Sequence, residues 1–137
     1  MIILDTNVIS EMMKPQPSLR VLSWIDENDT NDLFITTITI AEISYGLQAL
    51  QDGIRKNALE DAFNRVINEA FEYRVLPFDQ SAAHFYGELM AFRKKIGKPL
   101  SILDGQISAI ARSQRMSVAT RNSRDFSDCG LDLINPF

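Results

Sequence analysis

Three branched apolar residues, Ile2, Ile3 and Leu4, stand together near the start of the chain and read as a short strand buried on both faces. Val8, Ile9, Met12 and Met13 follow at helical spacing. Pro15 and Pro17 separate them from a second amphipathic stretch over 19–28, which presents Leu22, Trp24 and Ile25. The acidic, polar segment 26–32 reads as a loop. Residues 33–36 are β-branched and aromatic, as a second strand requires. Ile43, Leu47 and Leu50 form one stripe of a helix over 40–50, and Leu59, Phe63, Val66 and Ile67 mark another over 54–71, with Asp52-Gly53 at the turn between them. A third strand over 74–78 contains Pro77, which places it at an edge or marks its end. Asp79 can cap a long helix that Gly97 stops, with Phe85, Leu89 and Phe92 on one face. Ser101 opens a helix to 114, and strands over 117–120 and 131–134 close the pattern. Strands alternating with helices imply parallel crossovers. The expected fold is a single three-layer α/β/α domain over 1–137, with a central, mostly parallel sheet of about five strands.

Composition narrows the chemistry. A chain of 137 residues with 45% hydrophobic and 23% charged side chains is globular and can bury a core without staples. One cysteine, Cys129, excludes an intrachain disulfide and a thiolate zinc cage, and reads as an incidental loop thiol. One histidine, His84, cannot build a multi-histidine metal site and reads as a helix-surface or interface residue. No stretch reaches the ~18 apolar residues of a membrane span, and no signal-peptide pattern opens the chain, so a cytoplasmic protein with no membrane partner is expected. The net charge of −4 argues against a nucleic-acid binder that relies on bulk charge. Its distribution is uneven: residues 1–89 carry 6 basic and 14 acidic side chains, and residues 90–137 carry 8 basic and 4 acidic. The second half, with Arg93, Lys94, Lys95, Lys98, Arg112, Arg115, Arg121 and Arg124, permits one positive face.

Four acids fall at strand ends and helix starts. Asp5 ends the first strand, Glu42 lies early in the helix after the second, Asp104 is in the first turn of the helix before the fourth, and Asp125 follows the fourth. Ligands of open parallel sheets bind at the carboxyl edge, so Asp5, Glu42 and Asp125 can converge there. Asp104 precedes its strand and is expected at the opposite end unless its helix crosses back. Helix capping is the competing role. Asp5 or Thr6 can cap the first helix, and Thr39–Glu42, Ser101–Asp104 and, more loosely, Asn122–Asp125 fit the capping box. If the acids converge, their repulsion raises their pKa values and a divalent cation relieves it. An all-oxygen donor set selects Mg²⁺ or Mn²⁺, which points to metal-assisted phosphodiester hydrolysis.

The segments Ile2-Ile3-Leu4-Asp5-Thr6-Asn7, Thr39-Ile40-Ala41-Glu42-Ile43-Ser44-Tyr45-Gly46, Leu103-Asp104-Gly105-Gln106-Ile107-Ser108-Ala109 and Thr120-Arg121-Asn122-Ser123-Arg124-Asp125-Phe126 together resemble the four signatures of PIN-domain ribonucleases, in the VapC/FitB toxin group. The resemblance covers essentially the whole chain. It implies a PIN-like α/β fold and the toxin of a type II toxin–antitoxin system. The implied activity is that of a Mg²⁺-dependent endoribonuclease (Mn²⁺ a plausible substitute) cutting structured RNA such as tRNA or rRNA. Carried onto this chain, Asp5 and Asp104 match the principal metal-binding aspartates and Glu42 the third acid; the fourth falls on Asn122 or on Asp125. Asn7 and Thr120 match supporting polar residues, and Gly105 stands where alanine is usual. The resemblance also implies a homodimer, a cognate DNA-binding antitoxin, and contact with operator DNA only through that antitoxin.

Two other readings compete. One is a PIN-like module that holds RNA or antitoxin with little cleavage, suggested by the acidic balance and the doubtful fourth carboxylate. The other is aspartyl phosphotransfer on Asp5, which fits poorly because Asn7 stands where a second aspartate is wanted. For RNA contact, Arg93, Lys94, Lys95 and Lys98 are expected along the bound strand and Arg121 and Arg124 nearer the site, where phosphate pairing gives salt-dependent affinity.

Overall fold

The computed structural model describes residues 1–137. Five strands, β1 (Ile2–Leu4), β2 (Leu33–Thr36), β3 (Val75–Leu76), β4 (Ser117–Ala119) and β5 (Leu133–Ile134), form one sheet in the order β3-β2-β1-β4-β5. Every pairing is parallel. Six helices connect them: α1 (Thr6–Met12), α2 (Leu19–Glu27), α3 (Thr37–Gln48), α4 (Ile54–Arg65), α5 (Gln80–Lys95) and α6 (Ile102–Gln114).

The strands are buried on both faces, so their side chains divide strictly by parity. In β1, Leu4 enters one core with Val8, Val21, Leu33, Ile35, Ile43 and Phe63, beneath α1–α4. Ile3 points the other way, into a core with Ile107, Ile110, Val118 and Phe126 beneath α6. A smaller cluster of Leu89, Leu100, Ala109 and Cys129 seals α5 against α6 and the segment after β4. Cys129 is a buried free thiol.

Helix boundaries follow their caps. Asp5 accepts from the Thr6 N–H and starts α1 two residues before its first apolar position. The Thr36 hydroxyl accepts from the Thr39 N–H at 3.1 Å, so α3 begins at Thr37 rather than at 40. The helix expected over 54–71 is α-helical only to Arg65; Val66–Ala70 form a wider turn before Phe71. Within the expected loop 26–32, Thr30–Asp32 make a short 3₁₀ turn capped by Asp29.

The strand order sets the location of the site. From β1 the chain winds outward to β2 and β3, then returns across β1 to β4. The carboxyl ends of β1 and β4 therefore bound the switch point of the sheet, where a crevice opens. The expected placement of Asp104 at the far edge is corrected by the same geometry. A helix antiparallel to the strand it feeds begins beside that strand's carboxyl end, and 13 residues span ~20 Å. The first turn of α6 thus returns to the crevice. Gly105 allows close packing there: a Cβ on it would meet Met90 Sδ at 2.6 Å and Tyr86 at 3.2 Å, both on α5.

Candidate active site

A pocket of about 360 Å³ opens at the switch point, with no hydrophobic residue in its lining. Asp5, Thr6 and Asn7 come from the β1–α1 junction, Ser10, Glu11 and Lys14 from α1 and the turn after it, Glu42 from α3, Asp104 from α6, and Arg121 and Asn122 from the segment after β4.

Asp5 is only 5% exposed and its carboxylate is fixed from two sides. Oδ1 accepts from the Thr6 N–H at 2.8 Å; Oδ2 accepts from Asn7 Nδ2 at 2.9 Å and from the Thr120 hydroxyl at 2.8 Å. Thr120 in turn accepts from the Asn122 N–H at 3.0 Å, and Asn7 Oδ1 accepts from the Arg121 N–H at 3.1 Å. One hydrogen-bonded ring thus ties the end of β1 to the end of β4. Asp5 both caps α1 and faces the pocket, so capping does not withdraw it from the site.

Glu42 is not a capping carboxylate. Thr36 takes that role in α3, and Glu42 lies in the second turn, where Oε1 accepts from the Thr6 hydroxyl at 3.0 Å. The Thr6 oxygen also stands 3.2 Å from the buried Thr39 hydroxyl. Asp104 lies in the first turn of α6, where its N–H donates to the Ser101 cap at 3.2 Å and its half-buried side chain lines the pocket.

The electrostatics of these three acids agree. Burial is the first cause that pushes the Asp5 carboxyl up; Thr120, Thr6 and Asn7 pull it back, and the Asp104 charge raises it again. Burial also raises Glu42, with Asp5 and Asp104 adding to the shift against the Thr6 hydrogen bond. Asp104 is raised by burial and by Asp125, and lowered by Ser101 and Arg93. The pocket therefore holds negative charge at a cost that a cation would offset. Its donors are all oxygen, which suits a hard divalent ion. No group of three acidic, histidine or cysteine side chains is placed to enclose an ion alone. Mg²⁺ does not require such a cage, because it keeps several waters and uses one or two carboxylates.

Glu11 has the opposite character. The hydrogen bond from Lys14 is the main cause that holds its carboxyl below the usual range, with the Ser18 N–H and Arg121 contributing. Sequence reasoning missed Glu11, Ser10 and Lys14. Their spacing from Asn7, at i+3, i+4 and i+7, is the signal that puts them on one helical face toward the pocket.

The remaining expected residues are distributed unequally. Asn122 lines the pocket, whereas Asp125 sits exposed on the turn Ser123–Phe126 and outside the lining, acting on Asp104 through its charge. Among the basic residues expected at the RNA, only Arg121 lines the pocket. Lys94, Lys95 and Arg124 are exposed elsewhere, and Lys98 pairs with Asp128 at 3.1 Å. Arg93 requires a correction: it is 5% exposed and faces inward. Its Nε donates to the Lys98 carbonyl at 2.6 Å, and its Nη1 to those of Ser127 at 2.5 Å and Asp125 at 3.2 Å. Those carbonyls have no ladder partner, and a guanidinium fork satisfies them. The Arg93 side chain is therefore committed to the fold and is not available to RNA.

Comparison with known proteins places this arrangement. The PIN domain profile matches residues 2–130. The chain is 42% identical to VapC ribonuclease Y4jK of Sinorhizobium fredii, over 100% of this chain and 98% of that protein. It is 38% identical to Toxin FitB of Neisseria gonorrhoeae, over 100% of this chain and 99% of that one. The solved structure of FitAB bound to an IR36 DNA fragment superposes with a TM-score of 0.91 at 39% identity, covering 99% of this chain and 95% of that one. The chain belongs to the PIN-domain family, in the group of VapC and FitB toxins.

Proposed function

We propose that this protein is the toxin of a type II toxin–antitoxin pair, one PIN domain over 1–137 acting in the cytoplasm as a Mg²⁺-dependent endoribonuclease on structured RNA such as tRNA or rRNA. The observation that carries the reading is the meeting of Asp5, Glu42 and Asp104, from three separate elements, in one apolar-free pocket, where burial raises all three carboxyls and the Asp104 charge adds to the shift of Asp5 and Glu42. A relative named as a ribonuclease, aligned over the full chain, supports the reaction class.

Asp5 and Asp104 would hold the ion, which when bound offsets charge at phosphorus and makes water a better nucleophile. The protein's own part is orientation and proton transfer. Thr120, Asn7 and the Thr6 N–H fix the Asp5 carboxylate in one rotamer. The Thr6 hydroxyl donates to Glu42 Oε1, and the Glu42 carboxylate, which lines the pocket and is raised by burial, is suited to accept the proton of the attacking water. The water oxygen joins phosphorus as the bond to the leaving ribose oxygen breaks.

The antitoxin has a suitable surface. A groove of about 780 Å³, lined mainly by apolar side chains including Met12, Pro15, Ile54 and Leu59, runs between α1 and α4. Lys14 lines both this groove and the acid pocket, so a segment lying in one reaches the other. A DNA-binding antitoxin seated there would cover the acids and carry the toxin to operator DNA. Self-association has a separate candidate face at the end of α5 and the start of α6, where Phe92, Ile96, Ile102 and Leu103 are exposed.

The test is incubation of labelled total RNA with purified protein in Mg²⁺ or in EDTA. Discrete fragments that need Mg²⁺ and vanish in Asp5→Asn are expected. Retention of intact RNA under both conditions would instead identify a binding module.

A further inference from the structure

Among the carboxylates that line the pocket, Glu11 is the one already matched by cations. Its Oε2 lies 2.6 Å from Lys14 Nζ and 3.6 Å from Arg121 Nη2, and its Oε1 accepts from the Ser18 N–H at 2.9 Å. The Glu11 side chain is 8% exposed, while those of Lys14 and Arg121 are 54% and 51% exposed. The acid is thus buried behind two cations that remain open to solvent at the pocket rim. Arg121 has two further supports. Its guanidinium carbon lies 4.0 Å from the centroid of the Phe137 ring, and its N–H donates to Asn7 within the Asp5 ring of hydrogen bonds. No ion pair joins Lys14, Arg121 or any other cation to Asp5, Glu42 or Asp104.

Lys14 and Arg121 line the same pocket as Asp5, Glu42 and Asp104, and an unpaired cation there would be drawn toward those acids. Glu11 supplies an alternative. We propose that Glu11 is a positioning residue that keeps Lys14 and Arg121 off the Asp5–Glu42–Asp104 cluster and presents them as a clamp for the phosphates of the RNA strand, with Phe137 as the second seat of Arg121. The inference rests on the ribonuclease reading. It adds two phosphate-binding cations and assigns one pocket acid a role that is not metal ligation.

The sign of one substitution is diagnostic. Glu11→Gln removes a negative charge, which by bulk electrostatics tightens RNA binding. If Glu11 positions the cations, the same change weakens it. The measurement is fluorescence anisotropy of a labelled RNA hairpin in EDTA, where no strand is cut, across a salt series. Arg121→Met and Lys14→Met should each weaken binding about tenfold and reduce the slope of log K against log salt by roughly 0.7–0.9. Glu11→Gln should weaken binding severalfold, Phe137→Leu less so, and Arg121→Lys should recover the slope but only part of the affinity. Calorimetry with Mn²⁺ supplies the second readout. Glu11→Gln should weaken Mn²⁺ binding severalfold as the freed cations move onto the acids, and adding Arg121→Met should restore it. Tighter or unchanged RNA binding by Glu11→Gln overturns the proposal, as does an unchanged slope in Arg121→Met. If Glu11→Gln does not fold, Arg121→Met and Phe137→Leu decide the matter, since both leave the Ser18 contact intact. Wild-type protein that shows these slopes but never cuts RNA in Mg²⁺ supports the clamp and rejects the ribonuclease reading, so the two fail separately.

Discussion

The Thr120 hydroxyl donates to Asp5 Oδ2 at 2.8 Å, joining residues 115 positions apart at the ends of neighbouring strands. The same oxygen accepts from the Asn122 N–H, so one buried hydroxyl both holds the acid and shapes the next turn. Thr120→Val keeps the shape and removes both interactions, together with the bond Thr120 accepts from Asn7 Nδ2 at 3.3 Å. Leaving the Asn122 N–H and one Asp5 lone pair unmatched should cost about 1–3 kcal/mol in urea denaturation. Cleavage should fall roughly 10–100-fold, the usual loss when a group orienting a metal ligand is removed.

Removing the acids themselves separates chemistry from stability. Asp104→Asn and Asp5→Asn should each lose RNA cleavage by orders of magnitude and retain the wild-type circular dichroism spectrum. Asp104 is half-exposed, so relief of its repulsion is screened. Thermal unfolding without divalent ions should show Asp104→Asn at or slightly above wild type, by on the order of 0.5 kcal/mol. A folded variant with full activity would reject the reading.

The pKa directions fix the pH dependence. Asp5, Glu42 and Asp104 are raised in the fold, so the folded state binds protons more tightly than the unfolded chain. Without metal, their contribution to stability is most favourable below the ordinary carboxylate pKa and is lost as pH rises through the raised values. Glu11 is lowered and has the opposite sign: its contribution is full above its ordinary value and is lost as pH falls through the lowered one. A divalent ion offsets the first effect. At ten times its Kd, Mg²⁺ or Mn²⁺ should stabilise by about 1.4 kcal/mol at pH 7.5, or about 5 °C in a thermal melt. The gain should shrink toward pH 5 as protons compete for the same oxygens.

Arg93 tests the opposite kind of role. Two of its bonds, to the Asp125 and Ser127 carbonyls, hold the segment after β4 against the end of α5, and the third fixes the Lys98 carbonyl in the turn after α5. Arg93→Met keeps the aliphatic stem and should still cost about 2–4 kcal/mol in chemical denaturation. In the RNA salt series it should reduce the slope less than Arg121→Met does, because its charge does not face the pocket.

Much of this was legible in the residues, and the failures share a cause. The sheet could be read because β1, β2 and β4 are buried on both faces and appear as short apolar runs. Asp5, Glu42 and Asp104 stood out by their places at a strand end and early in two helices, although each pattern equally fitted a helix cap. The return of Asp104 to the crevice was not legible, because it depends on α6 running antiparallel to β4 and on α5 packing against Gly105. Arg93 misled for a related reason. It neighbours Lys94 and Lys95 in sequence, but helical rotation turns it inward to carbonyls that only the folded chain brings near. Glu11 and Lys14 carried a helical-face signal, yet which face met the pocket depended on α1 starting at Thr6.

Asn122 is the position where this chain departs most clearly from a four-acid site. It lines the pocket, its N–H is bound to Thr120, and it can offer an ion only a neutral oxygen. Asp125 is outside the lining and influences Asp104 only at a distance. Asn122→Asp changes side-chain charge without disturbing the backbone contact, and it adds a further carboxylate to the pocket that holds Asp5 and Asp104. Two opposite consequences should follow. Without metal the extra repulsion should lower stability by up to about 1 kcal/mol and push Asp5 and Asp104 further up. With metal, the Mn²⁺ concentration for half-maximal binding should fall severalfold, because another anionic ligand is available. Asp125→Asn should leave that concentration nearly unchanged. If instead Asp125→Asn abolishes Mn²⁺ binding and Asn122→Asp has no effect, the ion is held nearer the Ser123–Phe126 turn than the pocket geometry indicates.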